Sequence, residues 1–139
     1  MQDRQDAYGA WLNALRDVRA KIPEITTPGD LAIMLANLPG EDRDDEAARA
    51  HRIYEEYAAR VKTLQQTTAR MDLLAGAEVR RWIEKASARL EIIRPPHDLH
   101  DRETDTVRDG LASELETSER GFLEAARAEL NLQRAGGGY

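Results

Sequence analysis

Two histidines three residues apart, His97 and His100, stand among Asp98, Asp101 and Glu103. Imidazoles at that spacing can share a helix face, and with neighbouring carboxylates they could ligate zinc or iron. A working site needs three or more converging ligands, with acceptors behind the histidines. The only other histidine is His51, and the chain has no H-E-x-x-H or E-x-x-H pair. A polar turn in which Asp98 or Asp101 caps the following helix accounts for the same residues. A small metal-dependent helical enzyme using His97 and His100 therefore stands as an alternative only. Neither a metal nor another cofactor is expected.

Two further clusters invite chemistry. The run Glu41-Asp42-Arg43-Asp44-Asp45-Glu46 could hold magnesium, but paired acidic clusters on two helices are needed for phosphate chemistry. The E-x-x-E at Glu116 and Glu119 has no E-x-x-D companion downstream. An acidic helix start, favoured by the helix macrodipole, explains the run. Arg81, Lys85 and Arg89 recur every four residues with Arg80 beside them, a possible contact row for phosphate or an acidic partner. Glu78, Glu84 and Glu91 interrupt that row, so a salt-bridged, solvated face is the better reading. A nucleic-acid-associated regulator using Arg80, Arg81, Lys85 and Arg89 is the second alternative. The net charge of −6 weighs against it.

The elements that would carry these residues are all helical. Residues 3–21 place Tyr8, Trp11, Leu12, Leu15, Val18 and Ile22 on one stripe, and Pro23 ends it. Thr27-Pro28-Gly29-Asp30 has a capping threonine and a proline at the first helical position, and Pro39-Gly40 stops the short helix that follows. Its face comprises Leu31, Met34, Leu35 and Leu38, with Ile33 partly around it.

The dominant feature is residues 45–93, which contain no proline and a single glycine, Gly76. Ala47, Ala50, Tyr54, Tyr57, Val61, Leu64, Thr68, Met71 and Ala75 alternate steps of three and four, which is heptad spacing. The stripe then slips to Val79, Trp82, Ala86, Leu90 and Ile93. Two successive steps of four are a stutter, with Gly76 at the slip. Nothing between Leu73 and Val79 resembles turn punctuation, so one continuous or mildly kinked helix is expected, roughly 70 Å long at about 1.5 Å per residue. Arg94-Pro95-Pro96 ends it. A last helix over 101–133 carries Val107, Leu111, Leu115, Ser118, Phe122, Ala126 and Leu130 on one face.

The expectation is an all-α, elongated antiparallel helical bundle. It has an N-terminal helix, a short helix, one long central helix at about 45–93 and a C-terminal helix. Residues 1–135 form one domain, and 136–139 a flexible glycine-rich tail. A thin three-helix rod leaves apolar stripe uncovered, and uncovered stripe is usually buried by another chain. The expected function is accordingly a non-catalytic protein–protein interaction or assembly subunit, not an enzyme. Its interface would draw on Tyr54, Tyr57, Val61, Leu64, Met71 and Trp82. Trp11 and Trp82 read as core or interface anchors.

The partner would be another protein, a further copy of the chain, or both. Nucleic acid is disfavoured. With no cysteine, disulfides and thiol chemistry are out. With no basic-then-apolar leader and no long apolar run, a cytoplasmic protein without membrane contact is expected.

Overall fold

A computed structural model describes residues 2–90 and 103–137. They form five α-helices: α1 Gln2–Lys21, α2 Pro28–Ala36, α3 Gly40–Met71, α4 Ala77–Leu90 and α5 Glu103–Gly137. A 3-10 turn, Ile22–Glu24, follows α1. No strand occurs among the described residues. The protein is an all-α helical bundle.

The stripes expected for α1 and α5 face the core, with Leu12 and Leu130 half-buried at their edges; the Val107 side chain lies outside the described residues. Tyr8, Trp11, Leu15, Val18 and Ile22 are buried on α1; Leu111, Leu115, Ser118, Phe122 and Ala126 are buried on α5. On α3 the buried positions are Ala50, Tyr57, Leu64 and Met71, a strict seven-residue recurrence. Punctuation at α2 follows its residue types. The Thr27 hydroxyl accepts from the Asp30 backbone N–H at 3.1 Å, Pro28 opens the helix, and Asn37 closes it.

Paired contacts give the helix directions. Trp11 Nε1 donates to Thr68 Oγ1 at 3.0 Å, while Arg60 donates to the Asp17 carbonyl at 2.8 Å and Lys21 pairs with Glu56, so α1 and α3 are antiparallel. Tyr8 meets Glu129, and Arg19 meets Glu119, so α1 and α5 are antiparallel too. Trp82 lies on Gly121 and Arg89 on Glu114, which makes α4 and α5 antiparallel. The Tyr57 hydroxyl donates to the Leu90 carbonyl at 3.3 Å, bringing the end of α4 back beside the middle of α3. Four long elements thus alternate in direction around one core, with α2 beside α3 and α5 at one end. Helices of roughly 50 Å and about 10 Å across make the bundle elongated.

The expected single helix over 45–93 is corrected: α3 ends at Met71 and α4 begins at Ala77. The reason is cover. α1 begins nine residues before Trp11, and nine residues beyond Thr68 is Ala77. A continuous helix would carry Val79, Ile83, Ala86 and Leu90 past the end of α1 into water. Turned back, all four are buried. The turn uses ordinary backbone: no described residue has a positive φ, and Asp72 is right-handed helical at φ −57°, ψ −27°. The N–H groups of Leu74 and Ala75 both donate to the Met71 carbonyl, at 3.0 and 2.8 Å, and Arg80 reaches back to the Asp72 carbonyl at 2.9 Å. The cost is Leu73, 89% exposed at the turn.

Where α4 crosses α5, the Trp82 indole rests on the Gly121 backbone. A Cβ at position 121 would lie 2.3 Å from the ring, at its fused edge, so a larger residue must displace the indole. At Gly110, in the same helix, a Cβ would meet nothing within 4 Å. Gly121→Ala is therefore expected to destabilise the fold by about 1–3 kcal/mol through overpacking. Gly110→Ala should stabilise it by up to about 1 kcal/mol through helix propensity. Urea unfolding of the two variants measures the opposite signs directly.

Candidate interaction surface

The residues expected to dock a partner divide sharply. Tyr57, Leu64 and Met71 are core side chains, 2% exposed or less, so their assignment to an interface is corrected. The stripe is not spare, because α1 covers it and α4 folds back over it. Tyr54, Val61 and Trp82 are half-buried and pack against the core edge. Burial holds the Tyr57 hydroxyl well above the usual phenol range, with a smaller contribution from Tyr54.

The basic row on α4 is exposed but largely engaged within the chain. Arg80 binds the Asp72 carbonyl, and Lys85 Nζ stands 4.5 Å from the centre of the Trp82 ring. Arg89 forms a forked pair with both oxygens of Glu114, at 2.7 and 2.6 Å, which raises its pKa further. Arg81 is exposed. Of this row Arg89 joins α4 to α5, and Glu78 and Glu84 keep its charge mixed.

His97 and His100 lie outside the described residues, as does the Arg94-Pro95-Pro96 stop. Among the described residues, no group of three or more histidines, aspartates and glutamates could hold a metal ion. The run from Glu41 to Asp45 is exposed on the first turns of α3. Helix α5 is described through Gly137, two residues into the segment expected as a tail.

Buried charge appears where the sequence reading placed none. Glu119, 6% exposed, accepts from Arg16 Nε at 2.5 Å and pairs with Arg19, joining α5 to α1. Burial raises the pKa of this carboxyl, but the two arginine bonds and charges outweigh it and leave it below its ordinary value. The available signal was Arg16 and Arg19 three apart beside the α1 stripe, opposite Glu119 beside Ser118 on α5. Lys21 is likewise buried, held by Glu56 and, at 3.4 Å, by Glu24. At the far end, Tyr8 donates to Glu129 Oε2 at 2.8 Å, and Arg4 pairs with Glu129 Oε1 at 2.8 Å. Burial, then the bond to Glu129 and its charge, push the Tyr8 phenol up to about 12; Arg4 and the Gly76 backbone act the other way. Tyr8 is therefore a permanent donor at neutral pH.

Open surface remains beside Trp82 and on α2. Between α4 and α5 runs a groove of about 800 Å³ bounded by Gly76, Ala77, Trp82, Gly121, Ala125 and Ala128. On α2, Leu31 is buried and Leu35 is half-buried, as is Leu38 just beyond it, yet Ile33 is 67% and Met34 36% exposed. A helix of nine residues with apolar side chains on both faces has one face unaccounted for by its own fold.

The chain matches no protein-family model, and no curated protein or solved structure matches it. No helix among the described residues is long and apolar enough to cross a membrane.

Glu119 gives a pH test. Its folded pKa is depressed, so its contribution is present above the ordinary value of 4.5 and is lost as pH falls through the lowered folded value. Glu119→Gln should cost about 1–3 kcal/mol at pH 7, because two arginine bonds lose their charged acceptor. The gap between wild type and variant, read by urea unfolding across an acid series, should close below that window.

Proposed function

We propose that the protein is a non-catalytic interaction or assembly subunit of the cytoplasm whose docking element is helix α2. The observation that carries this reading is Ile33 largely exposed, with Met34 partly exposed beside it, on a helix already anchored through Leu31. Large apolar side chains clustered at the surface mark contact sites more often than chance. Half-buried Trp82, beside the α4–α5 groove, is a secondary contact; Tyr54 and Val61 are what remains of the apolar stripe on α3. The arginine-rich row of α4 supports this reading over nucleic-acid binding, since Arg80, Lys85 and Arg89 each have a partner within the chain.

A photo-crosslinker at position 33 tests it in host cells. One protein species, or a second copy of this chain, should be captured there and not from the exposed position Arg70. Capture should be lost when Met34→Asp is added, with the circular dichroism melt unchanged. Equal capture at both positions counts against the reading.

A further inference from the structure

We propose that the surface formed by α2 and the first turns of α3 receives a basic amphipathic helix of a partner protein, with its apolar side chains on Ile33 and Met34 and its lysines or arginines against the acids of residues 41–46. The inference rests on the reading of α2 as the docking element and adds the chemistry of what docks.

Charge complementarity selects this occupant. Only Asn37, Leu38 and Pro39 separate α2 from α3. Arg43 Nε donates to the Leu38 carbonyl at 2.8 Å and its N–H to the Pro39 carbonyl at 3.0 Å, which fixes the start of α3 against the end of α2. Glu41, Asp42, Asp44 and Asp45 are all exposed there. At helical spacing they point outward from α3, away from its buried stripe, on the helix that begins three residues after α2 ends. Arg43, the single cation of the run, has its guanidinium turned to the Leu38 carbonyl.

An apolar centre beside an excess of acids, with Arg108 already matched by Asp30, is how a face selects an oppositely charged amphipathic helix. The same acids repel a phosphate backbone and an anionic lipid surface. They also disfavour a symmetric second copy, since a two-fold contact would bring the two sets of acids together. The acids favour α3 itself through the macrodipole, but that effect fades within the first turn, whereas the acids continue to Glu46.

The probe is a synthetic amphipathic peptide of leucine and lysine, with glutamate replacing lysine in its counterpart. Peptide affinity is read by fluorescence anisotropy, and the site by amide shifts of labelled protein. The lysine peptide should bind with shifts confined to α2 and the start of α3, and the glutamate peptide should not. Combined Asp42→Asn, Asp44→Asn and Asp45→Asn should weaken binding by about tenfold and flatten its salt dependence. Glu78→Gln, Glu84→Gln and Glu124→Gln remove the same charge around α4 and α5 and should leave affinity within a factor of about three. Ile33→Asp should abolish binding.

Equal weakening by the two triple variants would reduce the attraction to net charge and overturn the proposal. So would shifts centred on the Trp82 groove, binding of the protein to phosphatidylserine vesicles, or a dimer by light scattering that Ile33→Asp dissolves. That last result leaves the docking role of α2 standing and removes only the basic partner. Failure of capture at position 33 removes both.

Discussion

Trp11 is where three helices become one object. Its indole is fully buried, its N–H is satisfied by Thr68 of α3, and its ring lies 4.5 Å from that of Phe122 in α5. An indole in a core is stable only if the N–H finds an acceptor, so the hydroxyl of Thr68 sets the register of α1 on α3. That register decides where α1 runs out, and so where α3 can no longer continue with its stripe covered. The turn at 72–76, the return of α4 and the burial of Val79, Ile83, Ala86 and Leu90 follow from it. Tyr8, one turn from Trp11, then ties α1 to the end of α5 through Glu129, whose carboxylate lies against Gly76. A Cβ there would sit 3.0 Å from the carboxylate oxygen, so the glycine gives room for this tie and does not supply an unusual backbone angle.

The periodic parts of this fold were legible in the residues, and the non-periodic parts were not. The stripes of α1 and α5 needed only the spacing of large apolar residues, and α2 declared itself through Thr27, Pro28 and Pro39. The break in the central helix was invisible to punctuation because the turn takes no positive φ and so requires no glycine or asparagine. The stutter through Met71, Ala75 and Val79 was its real trace. All three are buried, which a straight helix beside a short α1 cannot achieve. The reason is tertiary: it depends on the length of α1, far away in the chain. Misreading the turn also misassigned the interface, since Tyr57, Leu64 and Met71 are spare only if α4 does not return.

The charges show the same division between local and distant causes. Arg81, Lys85 and Arg89 looked like a contact row because four-residue spacing is a local property. For two of them the use is set by residues on another helix: Glu114 takes Arg89 in a fork, and Gly121 positions the indole under Lys85. Glu116 and Glu119 were paired by spacing as possible ligands, yet Glu116 is exposed and Glu119 is a buried acceptor for two arginines of α1. A buried carboxylate is tolerable because both oxygens are bonded to cations. Its role is to hold α1 against α5 between the Tyr8–Glu129 tie and the nearer Lys21–Glu56 pair, which joins α1 to α3.

Helix α2 is the exception to this economy. Nine residues are too few for a helix to be stable in water by itself, so α2 must draw its order from its surroundings. What it draws is modest: Leu31 in the core, the Thr27 cap, and Arg108 of α5, which donates to the Ile25 carbonyl at 3.0 Å and to Asp30 at 2.9 Å. These contacts hold one face and both flanks of its first turn. They leave Ile33 largely and Met34 partly open, and covering these side chains would add apolar stabilisation to this end of the bundle. A partner that covers them binds the folded helix and not the unfolded one, so its binding energy adds directly to the stability of α2. An element held just firmly enough to stay helical, with its apolar face outward, is thereby presented in the conformation that binds.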